Sequence, residues 1–195
     1  MTLDEVRERI TKSLNGRERH GSRPVDSIPA AVLVLVVARD GALCVVFTKR
    51  TERVAHHKGQ ISFPGGIIEP DDESEEAAAL REAEEEIGLN PEDVEVLGLL
   101  DDLAGRAAPF VITPVLALAR RPVAFRADPD EVERILEVPL AFLLEPANRR
   151  VEIWERDGER YPIYFFEYQG DVIWGATGRI LKHFLELITP SKEDA

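Results

Sequence analysis

Residues 73 to 89 read ESEEAAALREAEEEIGL. Glu82, Glu85 and Glu86 stand at i, i+3 and i+4. At about 100° of turn per residue, that spacing sets three carboxylates on one helix face. Leu80, Ala83 and Ile87 turn toward the other side. Like charges at this spacing repel unless something positive sits among them. Oxygen donors without a neighbouring Cys suit a hard divalent ion, Mg²⁺ or Mn²⁺, better than zinc. Glu82 and Glu86, one turn apart, are the first candidate metal ligands, with Glu85 beside them. A solvated helix face can carry the same run of glutamates. Two neighbours argue for a site instead. Arg81 stands four residues before Glu85, placed to orient that carboxylate, and Gly88 follows the last turn as a C-terminal capping glycine does.

This stretch resembles the Nudix box, G-x5-E-x7-R-E-aliphatic-x-E-E-x-G-aliphatic, and matches it from Glu73 to Leu89, with the small Ala83 at the first aliphatic position. Upstream it departs: six residues, not five, separate Gly66 from Glu73. The segments Thr48-Lys49-Arg50-Thr51 and His57-Lys58-Gly59-Gln60-Ile61-Ser62-Phe63-Pro64-Gly65-Gly66 resemble the signature of the coenzyme A pyrophosphatase branch of Nudix hydrolases. That branch has the longer spacing and an acidic turn like Glu69-Pro70-Asp71-Asp72. Val54-Ala55 stands where the branch usually has Leu-Arg, and Ile173 to Leu181 resembles its last helix. The resemblance covers roughly residues 30 to 185. It implies an α+β fold, an α/β/α sandwich around a mixed β-sheet. It also implies hydrolysis of the diphosphate of coenzyme A or a derivative, giving 4′-phosphopantetheine and adenosine 3′,5′-bisphosphate. Another nucleotide pyrophosphatase, acting on ADP-ribose, NADH or a nucleoside triphosphate, is the alternative within enzymes; a non-catalytic nucleotide-binding module is the alternative outside them. Retention of Glu82, Glu85 and Glu86 speaks for catalysis. The proton acceptor is one of these carboxylates or a loop acid: Glu131, which the resemblance favours, Asp101 or Asp102.

The formal charge of −13 argues against a nucleic-acid partner. Its distribution is uneven. Residues 69 to 86 carry ten acids against Arg81, whereas Lys49, Arg50, Arg53 and Lys58 cluster just upstream. An acidic metal centre beside a basic segment suits a metal-bound diphosphate, with Arg50, Arg53, His57 and Lys58 as candidate phosphate contacts. Gly65 and Gly66 would admit backbone close to substrate or metal. No apolar run reaches the roughly 18 residues of a membrane span. The charged N-terminus is unlike a secretory signal, and the single Cys44, within an apolar run, reads as a core residue. A cytoplasmic protein without membrane contact is expected.

Positioning these groups requires a sheet beneath the acidic helix. A helix over 2 to 14 capped by Thr2 and a linker reaching residue 28 precede a single domain over 29 to 190, with a disordered tail at 191 to 195. Strands are expected over 30 to 38, 42 to 49, 60 to 63, 93 to 101, 110 to 119 and 131 to 138. Asp72, with Glu75 three residues on, is the expected cap of the acidic helix. A short helix over 139 to 144, a hairpin of 150 to 156 with 160 to 168 around Asp157-Gly158, and a helix over 176 to 189 complete the pattern. The β-rich stretch after residue 120 offers a surface for a homodimer.

Overall fold

The computed structural model describes residues 1–21, 24, 26–53, 59–104, 109–156 and 158–189. The apolar run after residue 28 becomes β1 (Ile28–Arg39), and its two faces explain why it does not alternate. Val34 and Val36 enter one core cluster, while Leu33, Leu35 and Val37 enter another on the opposite side. A strand covered on both faces reads as continuously hydrophobic. After a turn at Asp40-Gly41, β2 (Ala42–Arg50) returns antiparallel to β1. Farther along, β1 pairs on its N-terminal half with β4 (Gly65–Ile67), antiparallel, and along its other edge with β7 (Phe110–Ala119), parallel. The sheet is completed by β3 (Ile61–Ser62) and β8 (Val132–Pro139) on β2, and by β5 (Val94–Leu99) and β6 (Leu103–Ala104) on β7. It is therefore mixed.

Helices cover both faces. On one side α2 (Glu75–Ile87) packs through Ala78, Ala79, Ala83 and Ile87 against β1 and β7. On the other side α1 (Leu3–Leu14), α3 (Leu140–Leu144) and α4 (Gly175–Ile188) share a core with Phe47, Phe63 and Phe166. Val6 and Ile10 make α1 part of that core. A second antiparallel sheet follows: β9 (Arg149–Arg156), β10 (Glu159–Tyr168) and β11 (Asp171–Ile173), in the order β11-β10-β9. The α+β sandwich around a mixed sheet is the architecture anticipated from sequence. Asp157 of the anticipated hairpin turn and the tail from residue 191 lie outside the described residues, although β9 and β10 do pair in antiparallel register. The short strands β4, β6 and β11 were not anticipated; two or three residues are too few for a periodic signal.

Thr2 caps α1 through a reciprocal capping box with Glu5, as its position predicts. The cap of α2 differs from expectation. It is Ser74, whose hydroxyl accepts from the Ala77 N–H at 3.1 Å. Asp72 lies two residues too early and its carboxylate is used elsewhere. The C-terminus ends as the glycine indicates: Gly88 is left-handed at φ 66°, its N–H donates to Glu84 O and the Leu89 N–H donates to Ala83 O.

Gly65 fixes how closely β4 can approach β1. Its φ is +150°, and an added Cβ would sit 2.3 Å from Ala31 O and 2.6 Å from Val32 Cα. Both obstacles are backbone, so neither can turn aside. Gly65→Ala is expected to lower the unfolding free energy by about 3 kcal/mol, combining strain and overpacking. Urea unfolding of the variant beside the wild type checks this; a loss below about 1 kcal/mol would show that β4 can shift away at little cost.

Candidate active site

The acidic helix lies over β4, and its small residues let it lie close. Ala78, Ala79 and Ala83 are fully buried, so the backbone of α2 approaches the sheet and the next face of the helix is partly enclosed. That face carries Glu82 and Glu86. The Glu82 side chain is 18% exposed and that of Glu86 only 3%, whereas Glu85 stays 60% exposed at the rim. The three carboxylates therefore divide into an inner pair and an outer one.

Each has a fixed partner. Glu86 accepts from Arg50 Nη1 at 3.1 Å and from the Gly65 N–H at 3.3 Å. Glu82 accepts from Arg81 Nη1 at 3.0 Å, and Glu85 from the same nitrogen at 3.3 Å. Arg81 is itself gripped by Asp72, which accepts from Nε and Nη2, both at 3.0 Å. Asp72 also accepts from the Glu69 N–H at 2.8 Å, closing the acidic turn that follows β4. The six residues between Gly66 and Glu73 thus build a turn that delivers a buried carboxylate to Arg81. Spacing alone did not reveal this pair, because nine residues separate its members across a turn and a helix.

The two glycines act on the carboxylates rather than leaving open space. Gly65 donates to Glu86, and an added Cβ at Gly66 would meet the Glu82 carboxylate at 2.5 Å. Arg50, the expected substrate contact, spans Glu86 and Glu131, whose Oε2 lies 3.7 Å from Nη2. Glu131 reaches this place because its carbonyl accepts from the Thr51 N–H and the Asp130 carbonyl from the Thr51 hydroxyl. Arg53 is 77% exposed and pairs with Asp130 at 3.7 Å. His57 and Lys58 lie outside the described residues. Asp101 and Asp102 are not brought to the carboxylates: Asp101 pairs with Arg17 at 2.8 Å, and Asp102 with Arg19 and the Thr113 hydroxyl. Cys44 is a buried free thiol whose pKa is raised by burial, as expected of a core residue. Phe63 packs on Phe47, with ring centroids 4.7 Å apart.

Electrostatics single out Glu86. Burial pushes its carboxyl up to about 7; Arg50 and the Gly65 N–H offset only part of this, and Glu82 and Glu131 add to it. Burial also raises Glu82, opposed by Arg81. Asp72 is held below the usual carboxylate range by its bonds to Arg81. Among the described residues, no three His, Cys, Asp or Glu side chains converge closely enough to hold an ion as they stand. The carboxylates are turned onto arginines instead. The donors still fit a hard divalent ion: all are carboxylate oxygens, and a buried carboxylate near pH 7 gains from further positive charge.

The match of residues 27–154 to the NUDIX domain establishes that the chain belongs to the Nudix family. It is 42% identical over 159 residues to the mitochondrial Nudix hydrolase 15 of Arabidopsis thaliana, across 78% of this chain and 55% of that protein. Nudix hydrolase 22 of the same plant, chloroplastic, is 42% identical across 52% of its length, so the chain spans about half of these plant relatives. The uncharacterized Nudix hydrolase NudL of Photorhabdus laumondii is 33% identical over 177 residues, covering 91% of this chain and 89% of that protein. Among solved structures, the MutT/nudix family protein of Enterococcus faecalis superposes with a TM-score of 0.57 at 17% identity, over 96% of this chain and 75% of that one, a likeness of fold. The NUDIX domain of Shewanella oneidensis NrtR, solved with ADP ribose, gives 0.50 at 23% identity over 74% and 87%. Among the described residues no helix is long and apolar enough to cross a membrane.

The raised pKa of Glu86 has a definite sign. A carboxyl that is a weaker acid folded than unfolded stabilises the fold below about 4.5, and that contribution is lost as pH rises through about 7. Glu82 acts in the same direction; Asp72, shifted downward, weakens the fold only in acid. With divalent ions chelated, unfolding free energy is expected to fall by about 3 kcal/mol between pH 5 and pH 8. Glu86→Gln should remove most of that slope. Urea unfolding across this range checks both, and an unchanged slope in the variant would assign the titration to another group.

Proposed function

We propose that this protein is a divalent-metal-dependent pyrophosphatase that cleaves the diphosphate linkage of coenzyme A or a derivative, releasing 4′-phosphopantetheine and adenosine 3′,5′-bisphosphate. The observation that carries the pyrophosphatase reading is the enclosed pair Glu82 and Glu86, packed against Gly65 and Gly66 beneath the Nudix helix. The coenzyme A reading rests on the resemblance of residues 48 to 66 to that branch and on the longer turn that carries Asp72.

Glu82, Glu86 and Glu85 would hold Mg²⁺ or Mn²⁺. A divalent ion held there neutralises diphosphate oxygens and makes water a stronger acid. The protein's own groups do the rest. Asp72 and Arg81 hold Glu82 and Glu85 in place against their mutual repulsion. Arg50 compensates Glu86 from the opposite side, and Glu131, half exposed beside it, is the candidate to take the proton of the attacking water. Arg53, His57 and Lys58, in the basic segment after β2, are the candidate contacts for the 3′-phosphate. Arg50 is a candidate substrate contact that also pairs with Glu86, so Arg50→Ala would strand a buried carboxylate and disturb the carboxylate site as well. The reducing interior that suits a lone buried thiol is consistent with a cytoplasmic setting.

Glu86→Gln is expected to preserve the helix, since Gln is a good helix former, and to reduce kcat by roughly 100-fold or more. Circular dichroism and steady-state kinetics with Mg²⁺ or Mn²⁺ check this; activity above about a tenth of wild type would remove Glu86 from the metal site. For the substrate, kcat/KM is compared across coenzyme A, 3′-dephospho-coenzyme A, ADP-ribose, NADH and nucleoside triphosphates. Loss of one charge-assisted contact, about 1.5–3 kcal/mol, predicts that the dephospho compound is roughly 10- to 150-fold poorer. Arg53→Ala combined with Lys58→Ala should narrow that gap. Equal values for the two compounds on wild type would favour a general nucleotide pyrophosphatase.

A further inference from the structure

Among the described residues, the second sheet ends in β9. β9 is hydrogen-bonded to β10 along one side, in unbroken register from Arg149↔Phe166 to Arg156↔Glu159, and it is an outer strand of that sheet. Seven of its eight residues are exposed. Outer strands are commonly blunted by Pro, a bulge or charged side chains. β9 has no Pro and no bulge, and its charges of both signs are interleaved with exposed Val151 (48%), Ile153 (55%) and Trp154 (41%). By strand alternation Val151 and Ile153 share one face with Arg149 and Glu155. Arg150, Glu152 and Trp154 share the other, continued by Phe165 and Trp174, which stack with their planes 8° apart. On that face Arg150 lies over the Phe165 ring at 4.2 Å, and the Trp154 indole N–H donates to Glu152 at 2.7 Å.

The charge of β9 is also unlike that of the chain. A molecule carrying −13 repels its copies across most of its surface. β9 reads RRVEIWER, three arginines against two glutamates, so two copies can meet there with less of that repulsion. Antiparallel self-pairing centred on Glu152 matches the sequence to itself. Arg149 falls opposite Glu155 of the second copy, and Val151 opposite Ile153. Arg150 falls opposite Trp154, an arginine–aromatic pair, and each of these pairings occurs twice. The two Glu152 carboxylates meet at the axis, each already bonded to its own Arg150 and Trp154.

We propose that β9 pairs antiparallel with β9 of a second copy of this chain, about a two-fold axis beside Glu152, joining the two three-stranded sheets into one of six strands. The carboxylate site lies on the other sheet, so this association is independent of the proposed activity.

Sedimentation velocity tests it. The wild type should sediment at twice the 21.8 kDa chain mass. Ile153→Lys, which sets a cation opposite Val151 of the other copy, should sediment as the single chain, keep the wild-type circular dichroism spectrum and unfold at a temperature that no longer depends on protein concentration. Arg149→Glu and Glu155→Arg should each raise the dimer dissociation constant roughly tenfold, since each creates two like-charge contacts. The double variant should return to within about threefold of wild type, because the ion pairs are restored in reverse. The proposal is overturned by a wild type that remains monomeric up to about 100 μM. A dimer that survives Ile153→Lys, or a double variant that is no tighter than the single ones, overturns it equally.

Discussion

Placing an acidic helix close to a sheet encloses carboxylates that would otherwise keep their water, and each enclosed charge then needs a counter-charge or a proton. In this protein that constraint organises everything around α2. Glu86 is met by Arg50 from β2 and by the Gly65 N–H from β4, and Glu82 is met by Arg81. Arg81 serves Glu82 and Glu85 through Nη1, and Asp72 orients it by binding its guanidinium through Nε and Nη2. The compensation is incomplete at Glu86, where burial outweighs Arg50. Such a carboxylate gains from any further positive charge brought beside it.

The same closeness explains the small residues. Alanines at 78, 79 and 83 let α2 settle onto β1, and the helix could not lie so near if these positions held leucine. Gly65 lets β4 lie against β1 at a φ that other residues rarely adopt, and Gly66 leaves the volume that the Glu82 carboxylate fills. Packing and chemistry are coupled here: residues that set the helix-to-sheet distance also set how far Glu82 and Glu86 are dehydrated.

The rest of the molecule holds this arrangement from behind. α1 and α4 close the far face of the sheet, and the Thr177 hydroxyl donates to Ile61 O, tying the last helix to the strand just before Pro64-Gly65-Gly66. Trp174 stands at the start of α4 and stacks on Phe165, so the second sheet and the last helix are joined by aromatic contact. The turn at 128 to 131 docks on Thr51 and on the end of α2, where the Asp128 N–H donates to Glu86 O, and this brings Glu131 beside Arg50.

Local periodicity and local chemistry determined much of this from sequence alone. The acidic helix, its C-terminal glycine, the doubly buried β1, the hairpin strands β9 and β10 and the α+β class all follow from spacings of a few residues, because helix and strand geometry repeat over that range. The part of the Nudix box that carries Arg81, Glu82, Glu85 and Glu86 lies on one continuous helix, and the resemblance rests on that fixed spacing. Tertiary structure alone decided what those groups meet. That Asp72 grips Arg81 and that Arg50 faces Glu86 are facts of contact between residues nine and 36 apart. No periodicity encodes them. Burial decided the rest: three glutamates that look equivalent on a helical projection become two enclosed ligand candidates and one exposed rim charge, because only the packed sheet determines which side of the helix loses its water.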